Sequence, residues 1–338
     1  MIRNYLFLFF ILTSCSFFQK KEQKSEIQLL SESISVDPKN IDLLYQRVSY
    51  NNNKNNLESA LYDLKEILQL DSLNFMNHNN IAKVYFELSK TKRRDPSFPK
   101  LVRYHLEKSI KLNDNNPEAY ALLGELMLAY YKYNDAIKLF NSSLKIKYNQ
   151  ERVHMLMGYA FKEIGTTDNA IDCFRNSLNI NPDFFEAYMQ LGQIYHALGD
   201  SNALVYYNNA LNLNANDEMV LYNKALFLQE KKDWNNALET YAQLHNINPF
   251  HVYGHYNLGF IHMELELYDV ATNNFSDAIY SNSEFYEAYY SRGICFETLG
   301  NIAQAKSDYN RSIEINPDYS YDIDALKKIK EKNIKYNK

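Results

Sequence analysis

The chain has 338 residues, a formal net charge of −5 and an apolar content of 46%, which is enough to build a folded core. Nine Gly and seven Pro exclude collagen-like and proline-rich disordered chains. The acidic balance gives no reason to expect a nucleic-acid partner, and three cysteines are too few for a disulfide scaffold.

The amino-terminal residues, MIRNYLFLFFILTSC, predict an export signal. Arg3 supplies a positive start, and the stretch from Tyr5 to Leu12 is apolar without a break. This run is too short for a membrane-spanning helix, which needs roughly 20 residues, but it is typical of a secretory signal. The final four residues, LTSC, resemble a bacterial lipobox. The alternative is an ordinary signal peptide with a Cys, Cys15, at its cleavage site.

The lipobox resemblance implies how the mature chain is held. In that family the signal is removed before the Cys, which is then acylated, so we expect a signal peptide over 1–14 and lipidation of Cys15. Each buried methylene contributes roughly 0.8 kcal/mol, so several acyl chains anchor a protein stably. Ser16 is not the Asp that commonly marks inner-membrane retention, so the resemblance implies the outer membrane, facing the periplasm. Residues 15–24 are polar and charged beyond Phe18, which predicts a flexible tether.

Residues 25–40 predict a lone capping helix, because SEIQLLSESISV at 25–36 is followed by Pro38. Beyond it, a small residue recurs at intervals of 33 or 34, at Gly124, Gly158, Gly192, Ala225, Gly259 and Gly293. After most of these an Ala follows twelve positions later, and an aromatic residue follows four positions after that Ala. These pairs are Ala136 and Phe140, Ala170 and Phe174, Ala237 and Tyr241, Ala271 and Phe275, and Ala305 and Tyr309.

This spacing predicts a helix hairpin. Small residues on both helices would let the two backbones approach closely, turn sequences such as GTTDN and GDSN separate the helices, and a Pro such as Pro182 ends the second helix. A single hairpin cannot bury its apolar face, so the hairpins must stack.

A helix-turn-helix of 34 residues with this layout resembles the tetratricopeptide repeat (TPR). The resemblance implies an all-α fold, an α-solenoid of stacked units that forms a right-handed superhelix. We predict eight units, at 41–74, 75–116, 117–150, 151–184, 185–217, 218–251, 252–285 and 286–319, and a Lys-rich capping helix over 320–338.

The second unit carries an insertion within SKTKRRDPSFPK. Its basic residues are Lys90, Lys92, Arg93, Arg94 and Lys100. Insertions in a solenoid form loops on one face, often a functional face. One hypothesis is that this loop contacts anionic lipid headgroups near the anchor, and the alternative is a solvated loop without a partner.

The TPR resemblance also implies a concave groove lined by positions 5 and 9 of each first helix. From the fourth unit onward these positions hold Met155, Tyr159, Met189, Gln193, Tyr222, Leu226, Tyr256, Phe260, Tyr290 and Ile294. Nine of the ten are apolar or aromatic, against 46% for the whole chain. A contiguous exposed apolar stripe usually marks an interaction surface, so we expect these ten residues to bind a partner protein or peptide.

The sequence offers little for catalysis or metal binding. His251 and His255 are four residues apart, as two metal ligands on one helical face would be, and His245 and His262 lie nearby. However, His255 and His262 occupy packing positions that hold aromatic residues in other units, so we predict no metal site. We find no glycine-rich phosphate loop and no serine elbow, and therefore expect no catalytic residue, no cofactor and no enzyme.

Two functions follow from these features. The first is a lipid-anchored scaffold of the bacterial cell envelope that holds another protein in its groove. The alternative is a non-catalytic accessory subunit of a cell-wall or secretion machine. Neither reading involves nucleic acid.

Overall fold

The computed structural model describes residues 25–91, 95–319, 321 and 323–328. The predicted signal peptide, Cys15 and the whole predicted tether lie outside the described residues, as do Lys92, Arg93 and Arg94 of the insertion and most of the predicted capping helix over 320–338. Among the helices of the described part, none is both long enough and apolar enough to cross a bilayer.

Every regular element between residues 25 and 319, leaving aside the undescribed 92–94, is an α-helix. In chain order the helices are α1 (Glu26–Val36), α2 (Ile41–Asn53), α3 (Leu57–Leu70), α4 (Phe75–Thr91), α5 (Ser97–Leu112), α6 (Pro117–Ala129), α7 (Tyr133–Ile146), α8 (Glu151–Glu163), α9 (Thr167–Ile180), α10 (Phe185–Ala197), α11 (Asn202–Leu213), α12 (Glu218–Glu230), α13 (Trp234–Ile247), α14 (Val252–Glu264), α15 (Tyr268–Ser281), α16 (Tyr286–Thr298) and α17 (Ile302–Ile315).

The helices group into two compact units, residues 1–123 and 124–338. In the first unit α2 packs on α3 and α4 packs on α5. In the second unit the packed pairs are α8 with α9, α10 with α11, α12 with α13, α14 with α15 and α16 with α17. The predicted all-α class of stacked helix pairs is confirmed.

Helix α9 shows how the sequence produces one of these elements. Its buried residues form one stripe along the helix, because they recur at the spacing of a helical face. They are Ala170, Ile171, Cys173, Phe174 and Ser177. At the end of the helix the backbone N–H of Asn181 donates to the carbonyl of Ser177 over 2.9 Å. The next residue is a proline, which cannot continue the hydrogen-bond ladder.

The glycines of the first helices make room for an aromatic ring. A Cβ placed on Gly259 would lie 2.6 Å from Cε1 of Phe275, which is fully buried. Rings fill the same space beside four other glycines, in the pairs Gly124 and Phe140, Gly158 and Phe174, Gly192 and Tyr207, and Gly293 and Tyr309. The expectation that these glycines serve a close approach of two backbones is therefore corrected: an aromatic ring of the second helix occupies the gap.

Apolar side chains outside the paired helices pack at both ends of the described chain. Helix α1 buries Ile34, and its first turn is tied by a hydrogen bond of 2.8 Å from the Ser25 N–H to the Gln28 side chain. At the other end Ala325 and Leu326 pack against the cluster formed by Ala305 and Tyr309. These contacts shield the outermost hairpins from water, as terminal caps do in repeat proteins.

Candidate partner-binding groove

The first helices of the second unit form a continuous surface. Besides packing on their own partners, α10 contacts α12, α12 contacts α14 and α14 contacts α16. Side chains at equivalent positions of these helices therefore lie next to one another from repeat to repeat. We call the surface formed by the ten predicted positions and their aromatic neighbours the aromatic groove.

Nine of the ten predicted residues are half-buried. They are Tyr159, Met189, Gln193, Tyr222, Leu226, Tyr256, Phe260, Tyr290 and Ile294. Met155 differs from the expectation of an accessible position, because only 7% of it is exposed. It lies in a stretch of α8 in which Val153, His154, Leu156 and Met157 are buried too, and so it offers little surface to a partner.

Aromatic rings follow one another across neighbouring repeats in the middle of the groove. The ring centroid of Tyr222 is 6.4 Å from that of Tyr253, and the Tyr253 ring is 5.5 Å from the Phe285 ring. Phe285 is in turn 5.1 Å from Tyr256, whose hydroxyl is 3.3 Å from the Ser291 hydroxyl on the next first helix. Such offset contacts at 4.5–7 Å are favourable beyond the area that they bury.

The groove ends in a group of tyrosines. Tyr290 lies 5.4 Å from Tyr319 and 6.1 Å from Tyr321, measured between ring centroids. Tyr319 and Tyr321 are themselves 5.3 Å apart. Residues beyond the last helix pair thus extend the aromatic surface of α16.

The predicted residues also contribute to the core. Tyr256 packs against Phe275 and Phe285 in two buried clusters, and Tyr222 packs against a third cluster that contains Tyr241. Burial raises the pKa of Tyr222, and it raises the pKa of Tyr159, with a smaller effect from the Glu186 carboxylate. One side of each ring therefore packs against the core and is not available to a partner.

The two most accessible aromatic residues of the groove were not among the predicted ten. Tyr253 is 57% exposed and Tyr321 is 63% exposed. A signal for Tyr253 was present in the sequence, because it precedes Tyr256 by three residues and so shares its helix face. No repeat position predicts Tyr321, which follows the last unit.

Polar contacts border the amino-terminal part of the groove. Arg152 on α8 pairs with Glu125 at 2.8 Å, and the Lys162 ammonium donates to the Gln190 side chain over 2.8 Å. These contacts bridge neighbouring repeats, so this part of the groove is more polar than the aromatic centre.

The histidines near residue 250 have partners other than a metal. His251 accepts a hydrogen bond from the Gly254 N–H at the start of α14, and the His255 Nε2 lies 2.8 Å from the Pro249 carbonyl. His262 is 3.2 Å from the Asn274 amide. Across the described ranges, no group of three His, Cys, Asp or Glu side chains is arranged to hold a metal ion.

The stacked helix pairs define an α-solenoid, and comparisons with known families identify repeats within it. Family models match within the second unit, described as TPR repeat at 158–199 and as Tetratricopeptide repeat at 185–217, 219–251 and 286–319. The predicted TPR repeats are confirmed by these matches.

Comparisons with known proteins place the similarity in the repeats. The chain is 28% identical to serine/threonine-protein phosphatase 5 of Homo sapiens over 102 residues, which are 30% of this chain and 20% of the phosphatase. The Rattus norvegicus phosphatase matches at 28% over 100 residues. The chain thus spans about a fifth of the length of the curated relatives it matches, and the match is confined to their TPR part.

Among the solved structures similar to this chain, one shares its fold at low sequence identity. The C-terminal part of a TPR repeat-containing protein from Cytophaga hutchinsonii is 14% identical, covers 75% of this chain and 99% of its own, and superposes with a TM-score of 0.63. YrrB, described as a TPR protein with an unusual peptide-binding site, is 18% identical over 66% of this chain and 97% of its own, with a TM-score of 0.42.

Proposed function

We propose that the chain is a non-catalytic scaffold that holds a segment of a partner protein in the aromatic groove. The observation that carries this proposal is the run of ring contacts from Tyr222 through Tyr253 and Phe285 to Tyr256, with Tyr253 exposed over 57% of its surface. An aromatic surface that remains open after folding usually marks an interaction site.

Tyrosine suits such a surface for a physical reason. Its ring supplies a large rigid contact area at a low cost in conformational entropy, and its hydroxyl can form a hydrogen bond at the edge of the contact. The rings of the groove are fixed on one face by the core, as Tyr256 is by Phe275. A bound segment therefore meets a surface that is already ordered, which lowers the cost of binding.

The test places a photo-reactive residue at position 253 in cells, with position 62 as the control. Tyr62 is also an exposed tyrosine, 64% accessible, but lies on α3 in the other unit. We expect a discrete cross-linked protein from position 253 and none from position 62. Identical adducts at both positions, or none at either, would contradict the proposal.

The identified partner then allows affinity to be measured on purified protein. Tyr253→Ala should weaken binding by about 30-fold, because truncating an aromatic anchor costs roughly 2 kcal/mol or more, while the unfolding free energy changes little. Tyr62→Ala should bind like wild type. Gly259→Leu should damage folding first, because its side chain meets the Phe275 ring. If Tyr253→Ala binds the partner as tightly as the wild-type chain does, the proposal is contradicted.

We further propose that the scaffold acts in the bacterial cell envelope, anchored to the outer membrane through acylated Cys15. The support is the LTSC sequence behind a short apolar run. The cross-linked partner also separates this function from the alternative. If that partner is a cell-wall or secretion enzyme whose activity changes with Tyr253→Ala, the chain is its accessory subunit.

A further inference from the structure

The outward face of α5 in the first unit carries a positive net charge, opposite in sign to that of the whole chain. Exposed residues recur along this helix every three or four positions, which places them on one face. Beyond the first turn they are Lys100, Arg103, Tyr104, Glu107, Lys108, Lys111 and Leu112. Four are cations and one is an acid, so the face carries a net charge of +3 on a chain whose total is −5.

The acid on this face is already paired. The Glu107 carboxylate lies 2.7 Å from the Arg103 guanidinium. Lys108 and Lys111 form no ion pair with any residue that the structure describes. The Lys108 ammonium is 5.8 Å from the centre of the Tyr104 ring. Burial lowers the pKa of the nearby His78, and the positive charge of Lys108 adds a smaller effect in the same direction.

Apolar side chains lie beside these two lysines. Leu73 is 79% exposed, Tyr104 is 51% exposed and Leu112 is 40% exposed. Together with Lys108, Lys111 and His78 they line a cavity of about 400 Å³. The cavity thus has two ammonium groups and several apolar side chains at the surface.

We infer that this face of α5 docks on a bilayer that contains anionic phospholipid. The two lysines match the phosphate of a headgroup, while Leu73, Leu112 and the Tyr104 ring match the boundary between headgroups and acyl chains, where tyrosine is favoured. This combination of charge and exposed apolar surface distinguishes a lipid surface from a purely ionic ligand.

The strength of this contact suits a chain that is held at a membrane by other means. Each basic residue close to an anionic surface contributes about 1 kcal/mol, so the four cations of the face give an affinity of at best about 1 mM. Such a contact orients a protein rather than anchoring it. The orienting role rests on the proposed lipid anchor, whereas the contact itself can be tested without it.

The experiment uses the chain from Ser16 onward without acylation, since every described helix begins at Glu26 or later, with circular dichroism confirming the fold. Its binding is measured to vesicles of phosphatidylcholine with and without phosphatidylglycerol, at low and high salt. We expect binding only when the anionic lipid is present, with a marked decrease at high salt.

Matched variants test the site. Lys108→Gln combined with Lys111→Gln should reduce partitioning about 30-fold, because two contributions of about 1 kcal/mol are removed. Lys145→Gln combined with Lys147→Gln makes the same change in charge on exposed residues in and just after α7 and should bind like wild type. Tyr104→Ser should abolish the part of the binding that survives high salt. Equal binding of the two double variants would overturn the proposal.

Two further binding measurements distinguish other ligands from a lipid surface. If inorganic phosphate displaces the chain from vesicles, the site recognises a free anion and the docking proposal fails. It also fails if duplex DNA binds in a Lys108- and Lys111-dependent way while anionic vesicles do not bind. Because the chain in these experiments carries no lipid, the outcome is independent of whether Cys15 is acylated.

Discussion

At the scale of single residues, the type of buried aromatic residue on each second helix matches the type of residue that faces it on the first helix. The hydroxyl of Tyr241 donates to the Gln229 side chain over 3.0 Å, and that of Tyr309 donates to Glu297 over 3.1 Å. The Tyr207 hydroxyl is 3.2 Å from His196 Nδ1. Where the ring is a phenylalanine, the residue twelve positions earlier is Leu128, Lys162 or Met263, and Lys162 bonds Gln190 instead. A hydroxyl inside the hairpin is thus matched by a polar partner on the first helix.

This matching predicts the effect of Gln229→Leu. The change removes the acceptor of the Tyr241 hydroxyl proton, while the Asn257 amide still donates to the same oxygen. A buried donor without an acceptor costs about 1–3 kcal/mol, so chemical unfolding should show a loss of that size. Adding Tyr241→Phe should recover at least half of it. Met263→Leu, opposite Phe275, is the control and should change stability by less than about 1.5 kcal/mol. Additive losses in the double variant would contradict the matching.

At the scale of helices, every hairpin turn from residue 51 onward that is described in full contains one residue in the left-handed region. It is a glycine at Gly165, Gly199 and Gly300, with φ of 78°, 66° and 81°. In four other turns it is Asn55, Tyr131, Lys232 or Glu266, with φ between 57° and 59°. The N–H of the following residue donates to a carbonyl five positions earlier, as from Leu267 to His262 over 2.8 Å. This geometry ends the first helix and reverses the chain.

The repeated turn predicts that Glu266→Gly stabilises the protein. A residue with a Cβ in the left-handed region costs roughly 1–2 kcal/mol. Glycine avoids this cost, but it offsets part of the gain because it has more conformational freedom in the unfolded chain. We therefore expect the unfolding free energy to rise by about 0.5–1 kcal/mol, measured by chemical unfolding. Glu239→Gly is the control, because Glu239 is an exposed residue in the interior of α13, where glycine costs up to about 1 kcal/mol. Equal losses in both variants would show that the turn conformation is not strained.

The same turns show where sequence reasoning succeeds and where it stops. The recurrence of Gly158, Gly192 and Gly259 predicted the helix hairpins, but it did not show that a buried ring, rather than a second backbone, fills the space beside each glycine. Nothing in the identity of Lys232 or Glu266 marks a positive φ, which the hairpin imposes on whichever residue is present. In the groove, the TPR resemblance implied a set of positions but not the burial of Met155 or the exposure of Tyr253, since these depend on the neighbouring helices.

At the scale of the whole molecule, three features occur at different points along the chain. The LTSC sequence ends at residue 15, the basic face of α5 lies in the first unit, and the aromatic groove lies in the second unit. We interpret them as an anchor, a membrane contact and a partner site. The anchor is the feature on which the proposed location depends, and thiol chemistry makes it testable.

The last prediction concerns which cysteine carries lipid. Burial raises the pKa of the Cys173 and Cys295 thiols to about 12, and both are free and enclosed by helices. They therefore remain protonated and unreactive near neutral pH, since the thiolate is the nucleophile. We expect a metabolic fatty-acid label on the wild-type chain and on Cys173→Ala, and none on Cys15→Ser, which should also leave the membrane fraction or remain unprocessed. Equal labelling of wild type and Cys15→Ser would remove the anchor from the proposed function, while leaving the vesicle and cross-linking tests of the other two surfaces intact.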